Sequence, residues 1–264
     1  MTLRPGIAAP SEPVMSCHLT FTSVGLFGFG AFGRLIVQHL TPHLPCLIHD
    51  PALPHGVNLP NGSQAASLTE AAGCDLVILA MPVAGMAEAC RAIAPHLRPG
   101  AVVADVGSVK MTPAEIMQAH LPSHVALIGT HPLFGPQSAR HGIAGHKIAL
   151  CPLRGRAHLP VAAFLRARLE LRVILTTPEA HDREAATVQG LTHLIAQTLN
   201  RMGPLPDRMT TASFDLLKQA VEMVRHDPPG VLDAIESANP FASGVRQEFL
   251  NLIAGLDRAY AGRN

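Results

Sequence analysis

The stretch GLFGFGAFG, residues 25–33, decides how the rest of the chain is read. Gly28, Gly30 and Gly33 in it fit the spacing G-x-G-x-x-G. The apolar run TSVGLFGF predicts a β-strand leading into it, and AFGRLIVQHL predicts a helix leading out. In that setting Gly28 permits a tight turn, Gly30 lets a pyrophosphate approach the backbone, and Gly33 lets the helix pack on the strand. The free N–H groups and the dipole of the helix N-terminus favour negative charge at the same spot. Asp50 ends the next predicted strand, CLIHD, 22 residues after Gly28. A carboxylate there accepts hydrogen bonds from ribose hydroxyls and repels a 2′-phosphate. The combination predicts dinucleotide binding, with NAD favoured over NADP. The expected cofactor contacts are Gly28, Phe29, Gly30, Ala31, Phe32, Gly33 and Asp50, with Met81 and Pro82 at the end of a later strand. The bland alternative is a glycine-rich turn with a surface aspartate.

The pattern around this loop predicts the fold class. From about residue 21 to 177, apolar runs such as LVILA, AVVAD, HVALIGTHP, HKIALCPL and LRVILTT alternate with helical patterns. Strands this apolar imply a parallel sheet covered on both faces, an α/β Rossmann-type doubly wound domain. From Thr177 the strands stop. TPEAHDREAATVQGLTHLIAQTLNRMG predicts one long helix with Thr at the cap and Pro in the first turn, and further helices follow. The expected organisation is a loose tail at 1–20, a dinucleotide-binding domain at 21–177 and a helical substrate and dimerisation domain at 178–264. The apolar helices SFDLLKQAVEMV and FLNLIAGL suggest that the helical part associates with another chain.

Composition narrows the function classes. The chain has 264 residues, 48% of them hydrophobic and 15% charged, with a formal net charge of +1. It contains no Lys/Arg run, no Trp and one Tyr, so neither nucleic acid nor an anionic membrane is an expected partner. No apolar run reaches the roughly 18–20 residues that cross a bilayer. The five cysteines are widely spaced, with no CxxC pair and no ligand cluster. Reduced thiols, no metal site and a cytoplasmic setting are therefore expected.

Two polar motifs fall at predicted strand ends, on the rim where open α/β sheets bind ligands. DVGSVK, 105–110, delivers Ser108, and GTHPLFGP, 129–136, delivers His131. A dehydrogenase acting on an alcohol needs an acceptor for the hydroxyl proton, and histidine suits that task near neutral pH. Both residues could equally be structural loop residues. QGLTHL places Gln189 and His193 one turn apart on one helix face.

In order, GFGAFG, DVGSVK, GTHPLFGP and QGLTHL resemble the prephenate/arogenate dehydrogenase family of tyrosine biosynthesis, most of all its arogenate branch. The resemblance implies NAD-dependent oxidative decarboxylation of a cyclohexadienyl substrate, with aromatisation as the driving force. It implies that His131 is the catalytic histidine, that Ser108 helps orient it, and that Gln189 and His193 face the substrate. It also implies a homodimer built through the C-terminal helices. In many prephenate-using relatives an arginine lies five residues before the Asp of a DP pair and grips a substrate carboxylate. Here the pair is Asp227-Pro228 and that position is Glu222. A carboxylate suits an ammonium group, which arogenate carries where prephenate has a keto oxygen. Glu222 is thus expected to select arogenate, and Arg225 and Arg246 are candidates for the carboxylate contact.

Three alternatives stay open. One is prephenate or dual specificity. Another is a β-hydroxyacid dehydrogenase, against which stands the absence of any Lys in 178–203. The third is an NAD-sensing module without chemistry.

Overall fold

The structure is a computed structural model that describes residues 21–54, 59–225, 227 and 229–262. The tail expected at 1–20 lies outside the described residues.

Eight strands form one sheet: β1 (Val24–Phe27), β2 (Cys46–His49), β3 (Gln64–Ala65), β4 (Leu76–Leu79), β5 (Val102–Asp105), β6 (Ala126–Pro132), β7 (Lys147–Arg154) and β8 (Arg172–Leu175). Their order is β3-β2-β1-β4-β5-β6-β7-β8. The first six run parallel, as consecutive strand–helix units require. The expected all-parallel sheet fails at one seam, where β7 pairs antiparallel to β6 and β8 then follows β7 in parallel. The cause is the connection: residues 133–146 form a loop rather than a crossover helix, so the chain turns back on itself.

The helices divide between the two faces. On one face α1 (Ala31–Leu40) and α5 (His158–Arg168) pack on the side chains of Leu26, Ile48, Ile78, Ile128 and Ile148. On the other, α2 (Leu68–Ala72), α3 (Val83–Ile93) and α4 (Met111–His120) pack on Phe27, Val77, Leu79, Val103 and Leu127. The LVIL of β4 and the VVAD of β5 are buried throughout. This explains why these strands lack polar alternation.

Beyond β8 the chain is helical. The run read as one helix from 178 to 203 is broken into α6 (Pro178–Ala185), a π-turn at Ala186–Gly190 and α7 (Leu191–Arg201). Thr177 caps α6 by accepting from the Ala180 N–H, with Pro178 in the first turn. Then come α8 (Ala212–Val224), α9 (Pro229–Asp233), a second π-turn at Ala234–Ala238 and α10 (Ala242–Ala261). The two π-turns pack on each other.

Close approach, more than turn conformation, fixes one glycine of the opening stretch. A Cβ on Gly25 would lie 1.8 Å from the carbonyl oxygen of Ala71 on α2. Gly25→Ala is expected to cost more than about 3 kcal/mol in urea unfolding, beyond ordinary overpacking. Gly255→Ala on α10, where a Cβ meets nothing within 4 Å, is expected to gain about 0.5–1 kcal/mol. Equal effects from the two would contradict this packing.

Candidate active site

The cofactor end is built by the turn from β1 into α1. Gly28 has φ +101°, a conformation that disfavours a side chain, and a Cβ there would lie 2.3 Å from the Ala80 carbonyl oxygen. A Cβ on Gly33 would lie 2.2 Å from the Gly28 carbonyl oxygen, so α1 sits directly on the turn. A Cβ on Gly30 would meet nothing within 4 Å, because Gly30 borders a cleft. The cleft holds about 600 Å³ and is lined by Gly28, Gly30, His49, Asp50, Met81, Pro82 and Glu88, among others. Gly30 is the N-cap of α1 and no side chain caps it, which leaves its N-terminus to a ligand. Asp50 accepts from the Phe29 N–H at 2.7 Å and from the Ala52 N–H at 2.9 Å. The carboxylate therefore braces the glycine turn as well as facing the cleft.

Four of the expected cofactor contacts do not line the cleft: Gly33, which packs on the turn, and Phe29, Ala31 and Phe32. Phe29 is buried under the Arg34 guanidinium, 4.3 Å from its ring centre. Phe32 packs near Phe134 on the far side of the turn. Ala31 is exposed at the start of α1. Any contribution they make to a ligand there is through the backbone.

The chemical end is a buried hydrogen-bonded chain. His131, on β6, is 4% exposed. Its Nδ1 lies 2.8 Å from Nε2 of His181, and Nδ1 of His181 lies 2.7 Å from Oδ1 of Asp182. Asp182 is fully buried and accepts from the N–H groups of Lys110 at 2.7 Å and Met111 at 2.9 Å, at the start of α4. A carboxylate held by two backbone N–H groups at a helix N-terminus is well satisfied as an anion. With the Nδ1–H of His181 donated to Asp182, its Nε2 can accept the Nδ1–H of His131. The Nε2 of His131 is left with its lone pair, 3.4 Å from the Gln189 amide nitrogen. Burial drives the pKa of His131 well below its ordinary 6.5, and the neighbouring His181 and Lys110 push the same way. The ring is thus a neutral acceptor at physiological pH.

Around it stand the helical residues. Gln189 sits on the first π-turn, where the extra residue turns it toward His131. His193 is buried, with Nε2 3.6 Å from Oδ2 of Asp227. Burial lowers the pKa of His193, opposed by Asp227 and Glu236, and burial raises that of Asp227, opposed by His193. Glu236, on the second π-turn, binds Arg246 at 2.6 Å through Oε2. Among the described residues its other oxygen is buried without a partner, as is the Oε1 of Gln189.

The structure therefore brings Gln189 to His131 and sets His193, one turn further along, against Asp227 and near Glu236, which holds Arg246. It does not bring Glu222 and Arg225 to them. These two pair with each other at 3.1 Å at the end of α8, with side chains 58% and 52% exposed. Ser108 lies half-buried in the turn before α4, and neither ring nitrogen of His131 bonds to it. His181, Asp182, Asp227 and Glu236 were not singled out in the sequence. HDR inside a polar helix gives no sign of a partner 50 residues upstream.

Among the described residues no helix is long and apolar enough to cross a membrane.

Comparison with known proteins bears on the whole arrangement. Residues 55–175 match the sequence model of the prephenate dehydrogenase nucleotide-binding domain. A protein of Methanocaldococcus jannaschii described as a probable arogenate/prephenate dehydrogenase is 28% identical over 188 residues, 67% of this chain and 42% of that protein. The chain matches between 22% and 63% of the length of its curated relatives. Prephenate dehydrogenase of Aquifex aeolicus, solved with hydroxyphenyl propionate and NAD+, superposes with a TM-score of 0.71 at 19% identity, covering 93% of both chains. Arogenate dehydrogenase of Synechocystis superposes with a TM-score of 0.68 at 18% identity, covering 92% of this chain and 93% of that one. At such identities the superpositions establish a shared fold. The matched domain and the curated relatives make the chain similar to prephenate/arogenate dehydrogenases over its nucleotide-binding part.

Proposed function

We propose that the protein is an NAD-dependent dehydrogenase that oxidatively decarboxylates a cyclohexadienyl acid, arogenate in preference to prephenate, as a step of tyrosine biosynthesis. The observation that carries this is the buried chain His131–His181–Asp182, which leaves Nε2 of His131, beside the Gln189 amide, as the accepting atom. NAD fits the cleft. Gly30 leaves its floor open, α1 offers an uncapped N-terminus to the pyrophosphate, and Asp50 faces the ribose position. When bound, NAD supplies the acceptor for the hydrogen removed from the ring carbinol carbon.

His131 accepts a hydrogen bond from the carbinol hydroxyl at Nε2. As the carbinol C–H bond breaks, positive charge builds on that carbon and its oxygen. The hydrogen bond to a neutral imidazole spreads this charge, and His181 with Asp182 stabilises it from behind. The bond between the ring and its carboxylate then breaks, CO2 departs, and its electron pair completes the aromatic ring. Any proton taken by His131 returns to the phenolic oxygen, so none is released overall. Gln189 positions the same oxygen, and burial of the base excludes water. Ser108, half-buried on the same rim, is retained as a substrate contact.

The arogenate preference rests on charge. Asp227 and Glu236 bring two carboxylates around neutral His193, and one guanidinium, Arg246, accompanies them. An extra negative charge in a half-buried pocket favours a substrate ammonium group, which arogenate has and prephenate lacks. Glu222 was expected to fill this role, but it lies exposed against Arg225. Asp227 and Glu236 are better placed, with Arg246 left for a carboxylate. A cytoplasmic setting is part of the reading: Cys46, Cys74, Cys90 and Cys151 are buried and unpaired.

A homodimer through the C-terminal helices is the assembly we infer. Leu216 and Met223 on α8 and Leu252, Leu256 and Tyr260 on α10 are at least half exposed. Such apolar faces are covered in stable proteins. Light scattering is expected to give twice the chain mass, and a monomer at micromolar concentration would overturn this assignment.

The reaction is tested by NADH formation with purified protein, NAD and either arogenate or prephenate at matched concentration. Faster turnover of arogenate is expected, with loss of roughly 10²–10⁴-fold in His131→Asn and NAD affinity nearly unchanged. Turnover mainly of prephenate would discard the charge argument. Activity with neither would leave NAD sensing as the reading.

A further inference from the structure

We propose that Lys110 is the positioning residue of the site, holding His131 in place and in its accepting tautomer from two directions at once. The proposal rests on the reading of His131 as the base.

The geometry is specific. Lys110 is the N-cap residue of α4, and its side chain is fully buried. Its Nζ donates to Oδ2 of Asp105, the last residue of β5, and to the carbonyl oxygen of Thr130 at 2.7 Å. Thr130 immediately precedes His131, so the ammonium grips the strand at the peptide that carries the base. The backbone N–H of the same lysine donates to Asp182 at 2.7 Å. Asp182 in turn sets the proton on His181, and His181 sets the proton on His131. One residue thus reaches the base through β6 on one side and through α6 on the other.

Room has been left for this lysine. A Cβ on Gly129 would lie 3.2 Å from Lys110 Cδ, and a Cβ on Gly107 would lie 3.3 Å from Asp105 Oδ2. Gly129, within β6, and Gly107, in the turn after β5, therefore leave room for a buried ion pair. Stability alone does not account for it, since apolar residues of equal volume often replace such pairs at no loss. Two things that apolar residues lack are directed hydrogen bonds to a chosen carbonyl and a fixed positive charge near the base. The titratable groups facing His131 are His181 from α6, with Asp182 behind it, and Lys110 at the start of α4, against which Asp105 and Cys151 lie. Burial holds the Cys151 thiol up at about 12, so it stays neutral. Lys110 and His181 are the two that oppose a second proton on His131.

The test uses Lys110→Met/Asp105→Asn, because Lys110→Met alone strands a buried carboxylate and endangers folding. Long-range 1H–15N NMR of the imidazoles reads tautomer and titration directly. In the unaltered protein His131 is expected as the neutral Nδ1–H form; the Nε2–H form would overturn the proposal without any variant. In the folded double variant the His131 midpoint is expected to rise with the Nδ1–H tautomer kept, because the backbone N–H of residue 110 still holds Asp182. The kcat for the preferred substrate is expected to fall about 10–100-fold, with KM nearly unchanged. An unchanged midpoint would overturn the role of the Lys110 side chain. If the unaltered protein turns over neither substrate, the reading of His131 as base fails, while the NMR result still decides on Lys110.

Discussion

The site depends on one carboxylate at one helix end. Asp182 belongs to α6, after the last strand, yet both its oxygens are held by the first N–H groups of α4, inside the sheet domain. Its carbonyl oxygen accepts from Asn239, which ties in the second π-turn at 2.8 Å. A buried charge of this kind is stable only while every partner stays in place. The same bonds that fasten the helical part to the sheet therefore set the protons on His181 and His131. Packing and chemistry share these atoms.

This coupling explains features that looked unrelated. The π-turn at Ala186–Gly190 breaks what would otherwise be one continuous helix, and that break turns Gln189 toward His131 while α7 carries His193. The reversal of β7 leaves His131 on an interior strand, flanked by β5 and β7, where desolvation keeps it neutral. The glycine turn that lines the cleft is braced by Asp50.

Much of this was legible in the sequence, and the rest was not for definite reasons. Gly28, Gly33 and Asp50 could be placed because local spacing alone fixes a β-turn-α unit. The outline of the sheet followed from apolar runs such as LVIL. His131 could be placed at the sheet's rim because it stands at the end of an apolar strand. His181 and Asp182 were missed because their meaning lies in partners 50 and 72 residues away. A polar helical run such as EAHDREA reads the same whether it faces solvent or a buried base. Lys110 was visible in DVGSVK, but a lysine in a loop reads as exposed until a carboxylate and two glycines are seen around it. Glu222 was chosen by counting back from Asp227 along a helix, and the helix turns that position outward. The antiparallel β7 was hidden because a 14-residue loop and a crossover look alike when neither carries a helical period.

The central claim is that a neutral, buried His131 accepts from the substrate hydroxyl. It is tested most directly by the pH dependence of single-turnover NADH formation from arogenate. The accepting form is lost as pH falls through the lowered pKa, so the rate is expected to stay flat through pH 6.5 and fall only well below it. A midpoint at or above 6.5, or no acid limb at all, would contradict the account.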